Sequence, residues 1–165
     1  MKTIQFGTVK TPFGMMGLAI SKTGLCRVYF PEETPFEISL KNDFPKCAII
    51  KNEKALQNIK RQFKEYFSGK RRSFDIDLDL IAPPFYKKIL TEVNKIPFGQ
   101  ISTYKDIAKK AGNSKAVRAA GSANANNPLP IVIPCHRVLQ TGGGLGGYGG
   151  KLERKVFLLE LENSL

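Results

Sequence analysis

Thr103-Tyr104-Lys105-Asp106-Ile107-Ala108-Lys109-Lys110-Ala111-Gly112-Asn113-Ser114-Lys115-Ala116-Val117-Arg118-Ala119-Ala120-Gly121-Ser122-Ala123-Asn124 is the stretch of this 165-residue chain whose reading decides its fold. Thr103 and Asp106 stand three apart, a capping-box spacing, and open a helix from Tyr104 to Ala111 that stops at Gly112. Ser114 is a candidate N-cap for a further helix to about Asn124. Two short helices joined by a tight, glycine-containing turn outline a helix-turn-helix. The second helix is poor in bulky side chains, which lets a helix approach a nucleic acid closely.

Outward from this pair, Phe85 to Lys95 reads as a helix stopped by Pro97-Phe98-Gly99. Pro83-Pro84 breaks the chain before it and is taken as a domain boundary. Downstream, Ile131-Val132-Ile133 is a strand-like run between Pro130 and Pro134, a glycine loop covers 142–150, and a last helix spans about Leu152 to Glu162. Upstream the pattern changes. Met15 to Ile20 and Leu25 to Phe30 flank the turn Ser21-Lys22-Thr23-Gly24, the outline of a hairpin. Leu56, Ile59, Phe63, Tyr66 and Phe67 recur at helical spacing in a segment from about Glu53 to Phe67, with Gly69 just past its end. Phe74-Asp75-Ile76-Asp77-Leu78-Asp79-Leu80 alternates with period two and predicts a half-buried strand. A calcium loop would need glycine where Leu80 stands. The expected fold is α/β (α+β): a small N-terminal strand-plus-helix domain over residues 1–82, and a mainly helical C-terminal domain over 83–165 carrying the helix-turn-helix.

Hydrophobic residues at 42% are enough for a packed core, and no apolar run is long enough to span a bilayer. The first residues, Met1-Lys2-Thr3-Ile4-Gln5-Phe6-Gly7, carry no signal-peptide core, so a cytoplasmic protein without membrane attachment is expected. The net charge is +12, with 14 Lys+Arg against 9 Asp+Glu in residues 1–80 and 12 against 5 in the remainder. That balance suits a polyanionic partner such as nucleic acid. Three cysteines, Cys26, Cys47 and Cys135, argue against a disulfide framework. Cys26 and Cys47 read as ordinary core or surface residues, with a bond between them left open. One histidine and no C-x-x-C pair give a structural zinc site little support, and no metal is expected.

Chemistry concentrates at Pro134-Cys135-His136-Arg137-Val138, where the only histidine adjoins a cysteine. A free thiol has a pKa near 8.5, so a reactive one needs a neighbouring base or cation. The loop Thr141-Gly142-Gly143-Gly144-Leu145-Gly146-Gly147-Tyr148-Gly149-Gly150 is not a phosphate loop: Leu145 stands where the first glycine belongs, and Leu152 follows Gly150-Lys151 in place of Ser or Thr. Its glycines suit a close approach of backbone to a base.

Asn127-Pro128-Leu129-Pro130-Ile131-Val132-Ile133-Pro134-Cys135-His136-Arg137-Val138 resembles the active-site signature of the O6-alkylguanine-DNA alkyltransferases. The resemblance extends upstream through Ile96 to Tyr104 and downstream through Tyr148 and Lys155 to Glu162. In the first half it rests on Thr11-Pro12-Phe13-Gly14 and Glu65-Tyr66-Phe67-Ser68-Gly69. It implies a DNA repair protein that moves an alkyl group from O6 of guanine, or O4 of thymine, onto its own cysteine, irreversibly and once per molecule. It implies Cys135 as nucleophile, His136 as base acting through a water, and Glu162 as the carboxylate orienting that histidine. Asn127 would tie the helix-turn-helix to the active-site turn. Tyr104 would assist guanine departure and rotate a DNA phosphate, and Arg118 would fill the space left by the flipped base. Lys115, Ala119, Ala120, Ser122 and Arg137 would join Tyr104 and Arg118 at the DNA. Val138, Tyr148, Gly149 and Gly150 would contact the guanine. The implied partner is double-stranded DNA containing O6-alkylguanine, bound by a monomer with no cofactor. Tryptophans common in the family are absent, with Leu90 and Phe157 as substitutes, and Gly149 stands where some members carry serine. Three other readings fit parts of the pattern: a damage-binding relative, which would lack Cys135; a helix-turn-helix regulator with an incidental thiol; and a cysteine hydrolase, which would turn over.

Overall fold

The structure is a computed structural model and describes residues 2–148 and 151–164. The chain divides into two compact units, Met1–Leu80 and Ile81–Leu165, each with its own core.

In the first unit, β1 (Thr3–Thr11), β2 (Gly14–Ile20) and β3 (Leu25–Tyr29) form an antiparallel run, and β4 (Ala48–Lys51) pairs parallel with β1. The sheet order is β3-β2-β1-β4. Alternation assigns its faces. Ile4, Phe6 and Ala19 pack with Phe36 and Leu40 of α1 (Phe36–Asp43), while Gly7 on the other face approaches Leu56. Residues 53–67 cover that second face. Glu53–Leu56 is a 3₁₀ turn capped by the Asn52 side chain, and α2 (Gln57–Phe67) follows, burying Ile59, Phe63 and Tyr66 at helical spacing.

The alternating segment Phe74–Leu80 departs from expectation. It is not a continuous strand, and it meets the sheet at one bridge, Leu25 to Leu78. Its backbone groups are satisfied elsewhere: Gln62 accepts from the Asp75 N–H at 2.8 Å and donates to the Asp75 carbonyl at 3.0 Å. Phe74 packs at a tilt against Phe63 and Tyr66 of α2, with centroids 5.3 and 5.4 Å away. The period of two governed exposure, leaving Asp75 and Asp77 in solvent, without dictating a ladder.

The second unit is mainly helical, with α3 (Pro84–Val93), α4 (Tyr104–Lys110), α5 (Val117–Ala125) and α6 (Leu152–Leu161). Its core includes Ile89, Leu90, Ile107, Ala108, Ala120, Ala123, Leu129, Leu158 and Leu159. The Thr103 hydroxyl accepts from the Asp106 N–H and caps α4, and Gly112 takes a positive φ of 96° just past its end. Ser114 is not the cap of α5. That helix starts at Val117 without a side-chain cap, and Asn113 shapes the turn by accepting from the Lys115 N–H. Residues 131–133 do not form a strand, because the prolines at 128, 130 and 134 remove ladder donors and Ile131 sits at φ 76°. The pairing lies further on, between β5 (Ser102–Thr103) and β6 (Val138–Leu139), in parallel. This short pair sets the start of α4 beside the residues that follow the Cys135 turn.

Gly24, in the β2–β3 turn, supports a stability test. A Cβ there would run into the Asp77 carbonyl and the Leu78 nitrogen, both backbone atoms that cannot rotate away. Gly24→Ala is expected to lower stability by about 1–3 kcal/mol, the usual range for overpacking, as measured by urea unfolding. An unchanged midpoint would show that the segment does not hold this position.

Candidate active site

Pro134 ends the irregular run, and Cys135–Arg137 forms one 3₁₀ turn leading into β6. The turn is held by Cys135 N–H to the Ile133 carbonyl at 2.8 Å and Arg137 N–H to the Pro134 carbonyl at 2.9 Å. Two asparagines fasten it from the side of α5. Asn127 donates to the Ile133 carbonyl at 2.9 Å, and Asn124 donates to the Cys135 carbonyl at 3.0 Å.

Cys135 is 3% exposed. Burial pushes its thiol up to about 11, against the Asn127 side chain, the charge of Lys155 and nearby backbone N–H groups, all of which favour the thiolate. Lys155 is itself buried. Its ammonium donates to the carbonyls of Val138 at 2.7 Å and Gly147 at 3.2 Å, and burial brings its pKa down to about 8 while Cys135 holds it up.

His136 is wholly buried, with Nε2 2.8 Å from Oε2 of Glu162, a residue 1% exposed. Desolvation lowers the histidine pKa and outweighs Glu162, which raises it. The imidazole is therefore neutral at pH 7. A carboxylate can only accept, so the ring proton belongs on Nε2 and Nδ1 carries the lone pair. Nδ1 is buried and has no hydrogen-bond partner among the described residues.

Arg137 corrects an expectation. It does not stand on a DNA-facing surface. It is buried, with Nε and Nη2 donating to Glu162 at 2.8 and 2.9 Å, and Nη1 donating to the Ile96 carbonyl. A guanidinium taken out of water needs such a fork of acceptors. Ala120 is a second correction: it faces the core of the unit. The Ser122 hydroxyl is shared with Tyr86 of α3 at 2.6 Å. Lys115 and Arg118 are exposed, and Ala119 is partly so.

Tyr104, at the start of α4, is half-buried, its hydroxyl 3.5 Å from the Gly147 carbonyl and its ring 5.8 Å from Lys155 Nζ. Beside it opens a cleft of about 370 Å³ lined by Val117, Arg118, Gly121, Gln140, Gly146 and Gly147. Val138 has a buried side chain, and its carbonyl is taken by Lys155. Tyr148 is partly exposed, while Gly149 and Gly150 lie outside the described residues.

The sequence reading missed two participants, Lys155 and Asn124, and helical phase could have found both. Lys155 shares the inward face of α6 with Leu158, Leu159 and Glu162, and Asn124 shares that of α5 with Ala120 and Ala123. No cluster of three His, Cys, Asp or Glu able to hold a metal occurs among the described residues, nor a helix long and apolar enough to cross a membrane.

Two family models together cover nearly the whole chain. The "6-O-methylguanine DNA methyltransferase, ribonuclease-like domain" matches residues 4–80, and the "6-O-methylguanine DNA methyltransferase, DNA binding domain" matches residues 84–164. The methylated-DNA–protein-cysteine methyltransferase of Methanosarcina acetivorans is 37% identical over 159 residues, covering 96% of this chain and 98% of that protein. The constitutive enzyme of Bacillus subtilis is 36% identical, covering 95% and 94%. Among solved structures, Mycobacterium tuberculosis OGT in complex with DNA is similar with a TM-score of 0.86 and 34% identity, covering 97% of this chain and 93% of that one. The chain belongs to the 6-O-methylguanine DNA methyltransferase family.

The buried neutral imidazole makes stability depend on pH. The folded-state pKa of His136 is below the ordinary value near 6.5 that it regains on unfolding. Its contribution is complete above about 6.5 and is lost as pH falls towards the folded pKa, because the unfolded chain then binds the extra proton. Lys155, with a pKa of about 8, stays charged through that window and adds no slope there. Urea midpoints measured from pH 8 to pH 5 are expected to fall below about pH 6.5, with a shallower fall in His136→Gln. Parallel profiles for the two proteins would contradict the buried neutral state.

Proposed function

We propose that the protein repairs alkylated DNA as a methylated-DNA–protein-cysteine methyltransferase in which Cys135 is the acceptor of the alkyl group from O6 of guanine. The observation that carries the assignment to Cys135 is the buried Glu162–His136 pair beside it, with the imidazole neutral and Nδ1 unpartnered among the described residues. His136 Nδ1 takes the thiol proton through a water. The sulfur attacks the alkyl carbon, forming a C–S bond as the C–O bond breaks. Guanine leaves with the electron pair of that bond and takes up a proton, for which Tyr104 is the donor; the proton removed from the thiol makes up the loss through solvent. The products are a thioether and unmodified guanine, with no oxidant, reductant or cofactor consumed. A thioether has no simple return to a thiol, so each molecule acts once.

The damaged base lies inside a duplex and must be rotated out before sulfur can reach it. α5 is the DNA-facing helix on this reading, with Lys115, Arg118 and Ala119 on its accessible side. Arg118, exposed at the start of α5 and lining the cleft beside Tyr104, fills the gap in the stack. Val138, Tyr148, Gly149 and Gly150 belong to the guanine-binding wall. The working form is a monomer on double-stranded DNA.

The test uses duplex DNA with one O6-methylguanine. Repaired guanine is expected to plateau at one equivalent of protein, with one added methyl on the peptide containing Cys135 and none on those containing Cys26 or Cys47. Continued turnover, or methyl on another residue, overturns the assignment. Arg118→Ala is expected to slow repair of the duplex by roughly tenfold for each 1.4 kcal/mol of stacking lost. Free O6-benzylguanine needs no rotation, so its reaction is expected to change little. Equal slowing of both substrates would remove Arg118 from the stack.

A further inference from the structure

The positive charge of the first unit is not spread over it. Residues 53–72, which are α2, the 3₁₀ turn before it and the chain just after it, hold 7 Lys+Arg and 2 Asp+Glu. The rest of residues 1–80 holds 7 and 7, and balances. The whole excess of +5 in residues 1–80 therefore lies on one segment. Amphipathicity turns that charge outward: α2 buries Ile59, Phe63 and Tyr66 and leaves Arg61 and Lys64 exposed.

This surface is held in place by bonds of its own. Glu65 stands between two guanidiniums, accepting from Arg61 at 3.1 Å and from Arg71 at 3.0 Å. Its backbone carbonyl accepts from the Lys70 N–H at 2.8 Å. The chain after α2 is thereby tied back against the helix, and a groove of about 650 Å³ opens there, lined by Lys60, Arg61, Lys64 and Lys70. One carboxylate cannot neutralise two guanidiniums. Lys60 is matched by Glu53 at 3.6 Å, but Lys64 and Lys70 are exposed and have no ion pair among the described residues.

The lining points to a class of partner. Interfaces between proteins are depleted in Lys and centre on apolar and aromatic side chains, and no such side chain lines this groove. Surfaces that meet nucleic acid are more polar and much more positive. A protein acting once per molecule on damage scattered through long DNA must also stay on undamaged duplex while it searches. Backbone contacts that ignore sequence allow this, because they let a protein slide and hop.

We infer that the outer face of α2 and the chain after it, centred on Lys64 and Lys70, is a second docking surface for the phosphate backbone of double-stranded DNA, in addition to the contact proposed for α5. The inference rests on DNA as the partner and asks nothing of Cys135.

Fluorescence anisotropy of the full chain with an undamaged duplex, over a range of salt concentrations, tests it. Each phosphate contact contributes about 0.9 to the slope of log affinity against log salt. Lys64→Gln/Lys70→Gln is expected to make that slope shallower by about 1 to 2 and to weaken binding several-fold. Lys10→Gln/Lys22→Gln removes the same charge from exposed positions outside the patch and is expected to keep the parent slope. An unchanged slope in the first variant, or the same loss in both, would overturn the inference and leave the patch a solvated face or a contributor of net charge alone. Urea midpoints are expected to match the parent's; where the double variant folds poorly, Lys64→Gln and Lys70→Gln are measured singly, each with a slope shallower by about 0.9. Failure of the underlying reading shows separately: the parent itself would then not bind the duplex.

Discussion

The carboxylate of Glu162 is the point on which the site depends. It is shut away from water, which costs several kcal/mol for an isolated ion. Bonds from the turn offset that cost, two from Arg137 and one from His136. The arrangement is economical in chain terms, because His136 and Arg137 are neighbours in the turn that begins with Cys135. A single residue at the end of α6 thus fixes the ring orientation of His136, its tautomer and the path of the backbone that carries Cys135. Arg137 extends the hold to the Ile96 carbonyl ahead of β5. Removing Glu162 would leave a buried guanidinium without its acceptor and a histidine without its orientation.

Burial imposes the opposing constraint on sulfur. Cys26 and Cys135 are both enclosed, and burial raises both thiols. Their surroundings then differ. Cys26 reaches about 12, with Asp79 raising it further and its Sγ turned to the Ala19 carbonyl. At Cys135 the Asn127 side chain, the Lys155 charge and two backbone N–H groups all pull downward. The first is a core cysteine. The second is a sulfur whose neighbours favour the thiolate against the burial that opposes it.

The legible parts of the molecule were those whose cause is local. Cys135 beside the only histidine, the capped start of α4 at Thr103 and the inward stripe of α2 are all written within a few residues of themselves. What escaped was set by distant partners. Arg137 reads as surface charge beside Cys135 and His136, and only the fold reveals that Glu162, 25 residues on, draws it inside. Phe74–Leu80 has the alternation of a strand, but Gln62 takes the Asp75 backbone groups that a neighbouring strand would have used. β4 is four residues long and α1 eight, too short for periodicity to stand out. Lys155 looks like one more solvated lysine in a chain with 26 Lys and Arg, until the phase of α6 puts it on the same side as Glu162.

The central claim, that Glu162 holds His136 as a neutral imidazole with its lone pair on Nδ1, is open to a direct reading because the chain has one histidine. Long-range ¹H–¹⁵N correlation of the uniformly labelled protein gives one imidazole pattern free of overlap. At pH 7 the account predicts a neutral ring protonated on Nε2, with Nδ1 at the shift of a bare nitrogen and titration only below the ordinary range near 6.5. An Nδ1–H tautomer, or an imidazolium at pH 7, would contradict it.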